Sequence, residues 1–300
     1  MSQKIVPNIW FAGDAEEAGE FYAGIISGAT AAVSARYPTD VPDWQAGFAG
    51  EPLTVDLVVD GYLLTLINAG DEFRPNPSIS LMLNFDPLAF GGDADEARRR
   101  LDETWGGLAD GGHVLLELGE YPFSPRYGWV EDRYGVSWQL LLTDPEGDPR
   151  PFLIPQLMFS GPVQGRAREA AAFYTTVFGD AEVGFIAEYP AQSGPAAPGD
   201  VMFGEFRLAG QWFAMMDSAV EQDFTFTCGV SLEVRCADQT ELDRIWDALT
   251  AVPEAEVCGW LADRFGVSWQ VVPENMGELM ERPGAYRRML DMKKLVIADL

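Results

Sequence analysis

Gly128-Trp-Val-Glu-Asp-Arg-Tyr-Gly-Val-Ser-Trp-Gln139 returns 131 residues later (259 minus 128) as Gly259-Trp-Leu-Ala-Asp-Arg-Phe-Gly-Val-Ser-Trp-Gln270. Nine of the twelve positions are identical, and two of the three changes, Val130/Leu261 and Tyr134/Phe265, keep the side-chain shape. A match of this kind marks a tandem duplication. Each copy reads as a β-hairpin. Asp132 and Asp263 open a tight turn in which a short carboxylate bonds the backbone two residues on, and Gly135 and Gly266 close it where φ is positive. Beyond the turn Val136, Trp138 and Leu140 alternate with Ser137, Gln139 and Leu141, so the strand has two different faces. Trp138 and Trp269 belong against a helix layer, and Gln139 and Gln270 belong on the opposite face, where function is to be sought.

Working outward, each half shows the same order of elements. Ile5–Phe11 reads as a strand, and Asp14 with Glu17 reads as a capping box for a helix carrying Ala18, Phe21, Tyr22 and Ile25 on one face. Thr54–Val59 and Tyr62–Asn68 form a hairpin turning at Asp60-Gly61. Ser78–Phe85, a helix opened by Asp93 and Glu96, Val114–Glu117 and the quoted hairpin complete the first half. The polar, proline-rich stretch Asp144–Pro151 is the boundary. In the second half Phe152–Phe159, a helix with Phe173-Tyr174, Phe203–Leu208, Gln211–Asp217, Val230–Cys236 and a helix opened by Asp238 and Glu241 repeat the pattern. Strand-rich units with one helix each predict an α+β fold. The expected division is residues 1–145, residues 152–275, and a helical C-terminal tail over 276–300 that could clasp the domains or a second subunit.

The bulk numbers bound the function. Three hundred residues suit two domains. A formal net charge of −27 and a pI near 4.2 repel phosphate backbones and anionic headgroups, so neither nucleic acid nor a membrane surface is an expected partner. No apolar run approaches the ~20 residues of a membrane span, and the first residues, Met-Ser-Gln-Lys-Ile-Val-Pro, hold no signal-peptide hydrophobic region. The three cysteines, Cys228, Cys236 and Cys258, make no disulfide framework. A cytoplasmic location is the expectation, with the chain a monomer or a homodimer.

Four such units in pairs resemble the vicinal oxygen chelate superfamily of glyoxalases, extradiol dioxygenases and bleomycin-resistance proteins. More narrowly, residues 258–270 and Ser231-Leu-Glu-Val-Arg-Cys-Ala-Asp-Gln-Thr-Glu-Leu-Asp243 resemble its PhnB-like, demethylubiquinone-methyltransferase-like branch. The resemblance implies four βαβββ units in two tandem glyoxalase-like domains, with cupped mixed sheets. It also implies a divalent metal held in each cup by four ligands, one from each of four strands. By position those quartets become Asn8, Thr65, Ser78 and Gln139 in the first half, and Gln156, Ala214, Gly229 and Gln270 in the second.

Chemistry separates this chain from the metalloenzymes. Transition ions are held by imidazole, thiolate or carboxylate, because a neutral amide oxygen does not offset the ion's dehydration. The chain has one histidine, His113, at a loop or strand edge. No metal and no cofactor is therefore expected. Asn8, Gln139, Gln156 and Gln270 are suited to fixing a small molecule by hydrogen bonds, with Trp10, Met158 and Trp212 as apolar walls. The leading reading is a metal-free protein that binds a small organic molecule. A second is a glyoxalase- or dioxygenase-type enzyme with atypical ligands such as Glu233, a weak catalytic candidate that Arg235 is placed to neutralise. A third is an acidic structural or interaction protein. Cys236 reads as core, and no histidine stands near Cys228 or Cys258 in sequence to activate a thiolate.

Overall fold

The computed structural model describes residues 3–147 and 149–300; Met1, Ser2 and Asp148, the last within the expected linker, lie outside the described residues. The first unit runs β1 (Ile5–Phe11), α1 (Ala15–Ile25), β2 (Thr30–Arg36), β3 (Pro52–Val59) and β4 (Tyr62–Asn68). The second runs β5 (Ile79–Phe85), α2 (Ala94–Ala109), β6 (His113–Tyr121), β7 (Ser124–Glu131) and β8 (Ser137–Leu142). The third repeats the first as β9 (Leu153–Phe159), α3 (Ala167–Val177), β10 (Glu182–Glu188), β11 (Val201–Leu208) and β12 (Gln211–Asp217). The fourth is shorter: β13 (Val230–Cys236), α4 (Gln239–Leu249), β14 (Trp260–Ala262) and β15 (Ser268–Pro273). Two short helices, α5 (Met276–Met280) and α6 (Ala285–Leu290), follow.

The strands make two mixed sheets, as the α+β reading with cupped sheets requires. One is ordered β14-β15-β13-β1-β4-β3-β2, the other β10-β11-β12-β9-β5-β8-β7-β6. Hence the first unit shares its sheet with the fourth, through antiparallel β1 and β13, and the second shares with the third, through antiparallel β5 and β9. The duplicated halves are interleaved. Each sheet draws strands from both.

Between the sheets lie the helices. α1 packs on β2, β3 and β4 of the first sheet, yet its Tyr22 hydroxyl donates to Asp132 Oδ2 (2.7 Å) in the second. Tyr174 of α3 does the same across the other half, donating to Asp263 Oδ2 (2.7 Å). Each carboxylate also takes an indole N–H at 2.8 Å, from Trp138 or Trp269, and two backbone N–H groups of its own turn. The turn geometry expected from the repeat is present, with Gly135 at φ 82° and Gly266 at φ 85°. The same repeat thus carries a buried polar anchor in each half. Tyr22, Tyr174, Trp138 and Trp269 are essentially inaccessible, and rings of this size bury about 150–250 Å² each.

One expected cap is replaced. The Asp14 side chain makes no capping bond; Asn68 Oδ1 at the end of β4 accepts from Ala15 N (2.8 Å) instead, as Asp217 does for Ala167 (3.1 Å). Glu17 turns outward to accept from Tyr134 Oη. The helix starts are thereby fastened to the sheet, which a local sequence pattern does not reveal. Asp93 and Asp238 do cap α2 and α4.

Candidate ligand-binding cups

Alternation along each strand sends one set of side chains to the helix layer and the other to the sheet's outer face. In the first sheet Ile9, Leu66, Leu232 and Trp269 enter the core, leaving Asn8, Trp10, Thr65, Ser231, Glu233 and Gln270 on the outer face. In the second, Leu157, Phe213, Leu81 and Trp138 point inward, leaving Gln156, Met158, Trp212, Ser80, Met82 and Gln139 outward. Curvature makes each outer face a cup. Trp10 on β1 and Trp260 on β14 lie 6.0 Å apart, ring centre to centre, although β13 and β15 separate their strands.

The sequence-derived site residues thus fall into two groups. Gln139, Gln156, Met158 and Trp212 share the second sheet's cup; Asn8, Trp10 and Gln270 share the first. The quartets grouped by halves are corrected by this pairing. Asn8 and Gln139 lie on different sheets because β1 recruits β13 rather than β5. Two registers are corrected as well. Ser80 and Ser231, not Ser78 and Gly229, carry the third position, accepting from Gln139 Nε2 (2.7 Å) and Gln270 Nε2 (3.0 Å). A signal was present: Ile79-Ser-Leu-Met-Leu83 matches Val230-Ser-Leu-Glu-Val234 in the duplication. Gly229 instead serves a close approach, since a Cβ there would stand 1.9 Å from the carbonyl oxygen of Arg74.

The two cups differ in character. The second is apolar, with Met82, Ile154 and Ala214 in one cluster and Tyr127, Trp129 and Met158 in another, and with Leu141 touching both. Its polar thread runs from the Tyr127 hydroxyl to Gln139 Oε1 (2.7 Å) and on to Ser80. Burial raises the Tyr127 phenol well above its ordinary range, so it is a permanent donor at neutral pH. Gln156 Oε1 is buried and has no hydrogen-bond partner. At one end Glu205 is nearly inaccessible and is clamped by Arg150 from the linker, Nε to Oε1 at 2.7 Å and Nη2 to Oε2 at 2.9 Å. The guanidinium also stands 5.0 Å above the Trp212 ring. Arg207 pairs with Glu182 rather than Glu205.

The first cup is the more polar. Its Glu233 accepts from Arg235 Nε (2.7 Å), which uses the carboxylate as one half of an ion pair. Thr65 is buried, and its hydroxyl has no partner. The regrouped quartets are Asn8, Thr65, Ser231, Gln270 and Gln156, Ala214, Ser80, Gln139. Amides, hydroxyls and a methyl group do not fit a transition ion, and among the described residues no three His, Cys, Asp or Glu side chains converge as metal ligands would. His113 is exposed at the start of β6. Burial pushes the Cys236 thiol up to about 12 and raises Cys228 and Cys258 as well, which disfavours the nucleophilic thiolate. A cavity of about 190 Å³ lies at the end of β1, lined by Trp10 of the first cup together with Phe73, Arg74 and the Arg133-Tyr134-Gly135 turn. Among the described residues no helix is long and apolar enough to cross a membrane.

The PhnB protein of Bacillus cereus is 31% identical over 47% of this chain and all of its own, with a TM-score of 0.39. A protein of Pseudomonas aeruginosa is 28% identical over 47% of this chain and 98% of its own, with a TM-score of 0.35. Glyoxalase I of Zea mays is similar along most of the molecule: 12% identity, 92% of this chain, 95% of its own and a TM-score of 0.52, a likeness of fold. No curated protein matches. The family model described as 3-demethylubiquinone-9 3-methyltransferase matches residues 3–141 and 151–272, and the chain belongs to that family.

Proposed function

We propose that this protein binds a small, largely apolar molecule in the cup of the second sheet, without a metal ion. The observation that carries the reading is Gln156 Oε1, a buried acceptor with no partner in an otherwise apolar setting. An unmet buried acceptor costs about 1–3 kcal/mol, and a ligand O–H or N–H would recover it. Methionines 82, 158 and 216 give the lining adaptable volume. Phe123 supplies a way in. It is 65% exposed at the β6–β7 turn and packs on Tyr121 and Tyr127, the latter reaching Gln139. The ligand class is a planar, hydroxyl- or amide-bearing molecule of modest size.

The side chains do not support the methyl transfer in the family's descriptive name. Methyl transfer to a phenol needs a base for the phenolic proton, and the carboxylates Glu205 and Glu233 are each engaged by arginine. For the metal-dependent alternative, Glu233 would have to leave Arg235. Calorimetric titration with 2-naphthol tests the binding reading. One molecule per chain is expected, and Gln156→Leu should weaken binding about tenfold, one hydrogen bond's worth. Binding insensitive to Gln156→Leu and to filling the cup by Met158→Trp would refute it. A stoichiometric rise in melting temperature with zinc, nickel or manganese would refute the metal-free part.

A further inference from the structure

The chain crosses from the first sheet to the second through residues 69–78. Where this connection passes the end of β1 it leaves the cavity of about 190 Å³. Trp10 is shared with the first cup, but Phe11 and Tyr134 lie on the helix side, their rings 6.0 Å apart and packed on the core. The walls are pinned. The Trp10 indole N–H donates to Gly70 O (2.7 Å), Phe73 meets that ring edge-on at 5.1 Å, and Tyr134 Oη donates to Glu17 (2.9 Å). The connection is braced in turn by its counterpart in the second half. Asn76 Nδ2 donates to Thr225 O (3.1 Å), and Gly229 lies against the Arg74 carbonyl. A site held this way needs little ordering when a ligand enters.

The duplication supplies a closed version for comparison. Counting back from Ile79 and Val230, Pro75 corresponds to Phe226 and Arg74 to Thr225. Phe226 is buried, its ring 5.1 Å from Phe159, the counterpart of Phe11. Residues 160–166 also stand where the first half has only 12–14, and Val163 among them packs into the core. The second half is therefore filled where the first is hollow. The charges differ too. Arg166, which precedes α3 as Asp14 precedes α1, is paired with Glu169 and covers the Phe265 ring. Asp14 and Arg74 are exposed members of the cavity lining, and among the described residues neither side chain makes a hydrogen bond or an ion pair. Arg133, also in the lining, is spent on Asp110.

One uncommitted positive group and one uncommitted negative group beside an aromatic wall match a zwitterion. A chain of net charge −27 disfavours a simple anion, and Arg74 disfavours a simple cation. A cavity of about 150 Å³ takes a benzene ring, so one of about 190 Å³ suits a compact apolar body that carries both charges.

We propose that this cavity binds a free α-amino acid with a compact apolar side chain, its carboxylate on Arg74, its ammonium group on Asp14 and its side chain against Trp10 and Phe73. The site stands independently of the second cup. Calorimetric titration of the full chain with L-leucine tests it. Two analogues serve as controls: isocaproate, which lacks the ammonium group, and isoamylamine, which lacks the carboxylate. L-leucine should bind at one molecule per chain, and each analogue about tenfold or more weaker, the loss of one charged hydrogen-bonding partner. Arg74→Gln should bring L-leucine down to the affinity of isoamylamine, and Asp14→Asn should bring it down to that of isocaproate. Pro75→Phe copies the filled second half and should abolish L-leucine binding while the circular dichroism spectrum stays native. Should that variant fail to fold, the two charge variants, both at exposed side chains, still decide the matter. No L-leucine binding at millimolar concentration, or equal affinity for the three compounds, would overturn the proposal. So would L-leucine binding that is unchanged in both charge variants or in a folded Pro75→Phe.

Discussion

The twin carboxylates at the hairpin turns hold the helix layer to the sheets, and their removal can be worked through from the structure. In Asp263→Ala four donors lose their acceptor: Tyr174 Oη, Trp269 Nε1, Phe265 N and Val267 N. Tyr174, Trp269, Phe265 and Val267 are each at or below 1% exposure, so water does not replace the lost bonds without disrupting the packing. At about 1–3 kcal/mol for each stranded donor, the loss is at least about 4 kcal/mol. That is a large share of the 5–15 kcal/mol by which domains are stable. Tyr174→Phe removes one donor and leaves three bonds standing, and should cost about 1.5–3 kcal/mol, the range for a bond to a charged group. Denaturant unfolding followed by circular dichroism reads both, and the first-half pair, Asp132→Ala and Tyr22→Phe, should show the same order. If Asp263→Ala cost no more than Tyr174→Phe, the four bonds would not act as a unit and the anchor would be a packing effect of the aromatic rings alone.

The remaining predictions concern charge and close approach. Arg150→Ala should destabilise by about 3 kcal/mol, because it leaves Glu205 nearly buried and uncompensated; adding Glu205→Gln should restore most of the loss, and failure of the double variant to recover in thermal unfolding would contradict the clamp. Gly229→Ala should lower stability by about 2 kcal/mol or more, since its Cβ would collide with the Arg74 backbone rather than with a side chain that can move; an unchanged melting temperature would show that this approach is loose. For pH the sign is reversed from ordinary acid denaturation. Burial raises the Asp132 and Asp263 carboxyl groups above their ordinary value of 3.8, so the folded state holds its protons longer than the unfolded chain. Their contribution is greatest below 3.8 and is lost as pH rises through the raised values. Relative to the double variant Asp132→Asn, Asp263→Asn, the wild type should therefore lose stability on going from about pH 4 to about pH 6, and a gap that widens over that interval would contradict the sign.

How much of this was legible depends on whether the information is local. The duplication, the turn glycines, the facing of Trp138 and Gln139, and the strands Ile5–Phe11, Tyr62–Asn68, Gln211–Asp217 and Val230–Cys236 follow from repeats and period-two alternation, and the structure has them at those residues. What alternation misses is pairing. A strand such as Ile79–Phe85, buried along its whole length, reads as a continuous apolar run with no contrast between faces, so Ser80 was misplaced by two residues and its partner strand could not be named. Strands β2 and β10, mostly exposed, carry too little pattern to stand out at all.

The interleaving itself has a physical reason that no single half contains. A half of this chain, taken alone, has two helices that pack together, as α1 and α2 do where Gly107 meets Ile25, and an aromatic–carboxylate anchor that joins its two units. It would still present β1 and β5, or β9 and β13, as long apolar edges with unpaired backbone groups. Pairing β1 with β13 and β5 with β9 removes all four edges at once. The cups are the by-product of that closure. Each is floored by strands from both halves, so substitutions in one half alter the walls of both cups, and the two cups have been free to diverge: Thr65 corresponds to Ala214 in the duplication, Trp10 to Met158, and Tyr127, the donor to Gln139, to Cys258, whose thiol lies against the Leu290 carbonyl. A single chain carrying both halves gains what two identical subunits could not have, one apolar cup and one polar cup on the same frame.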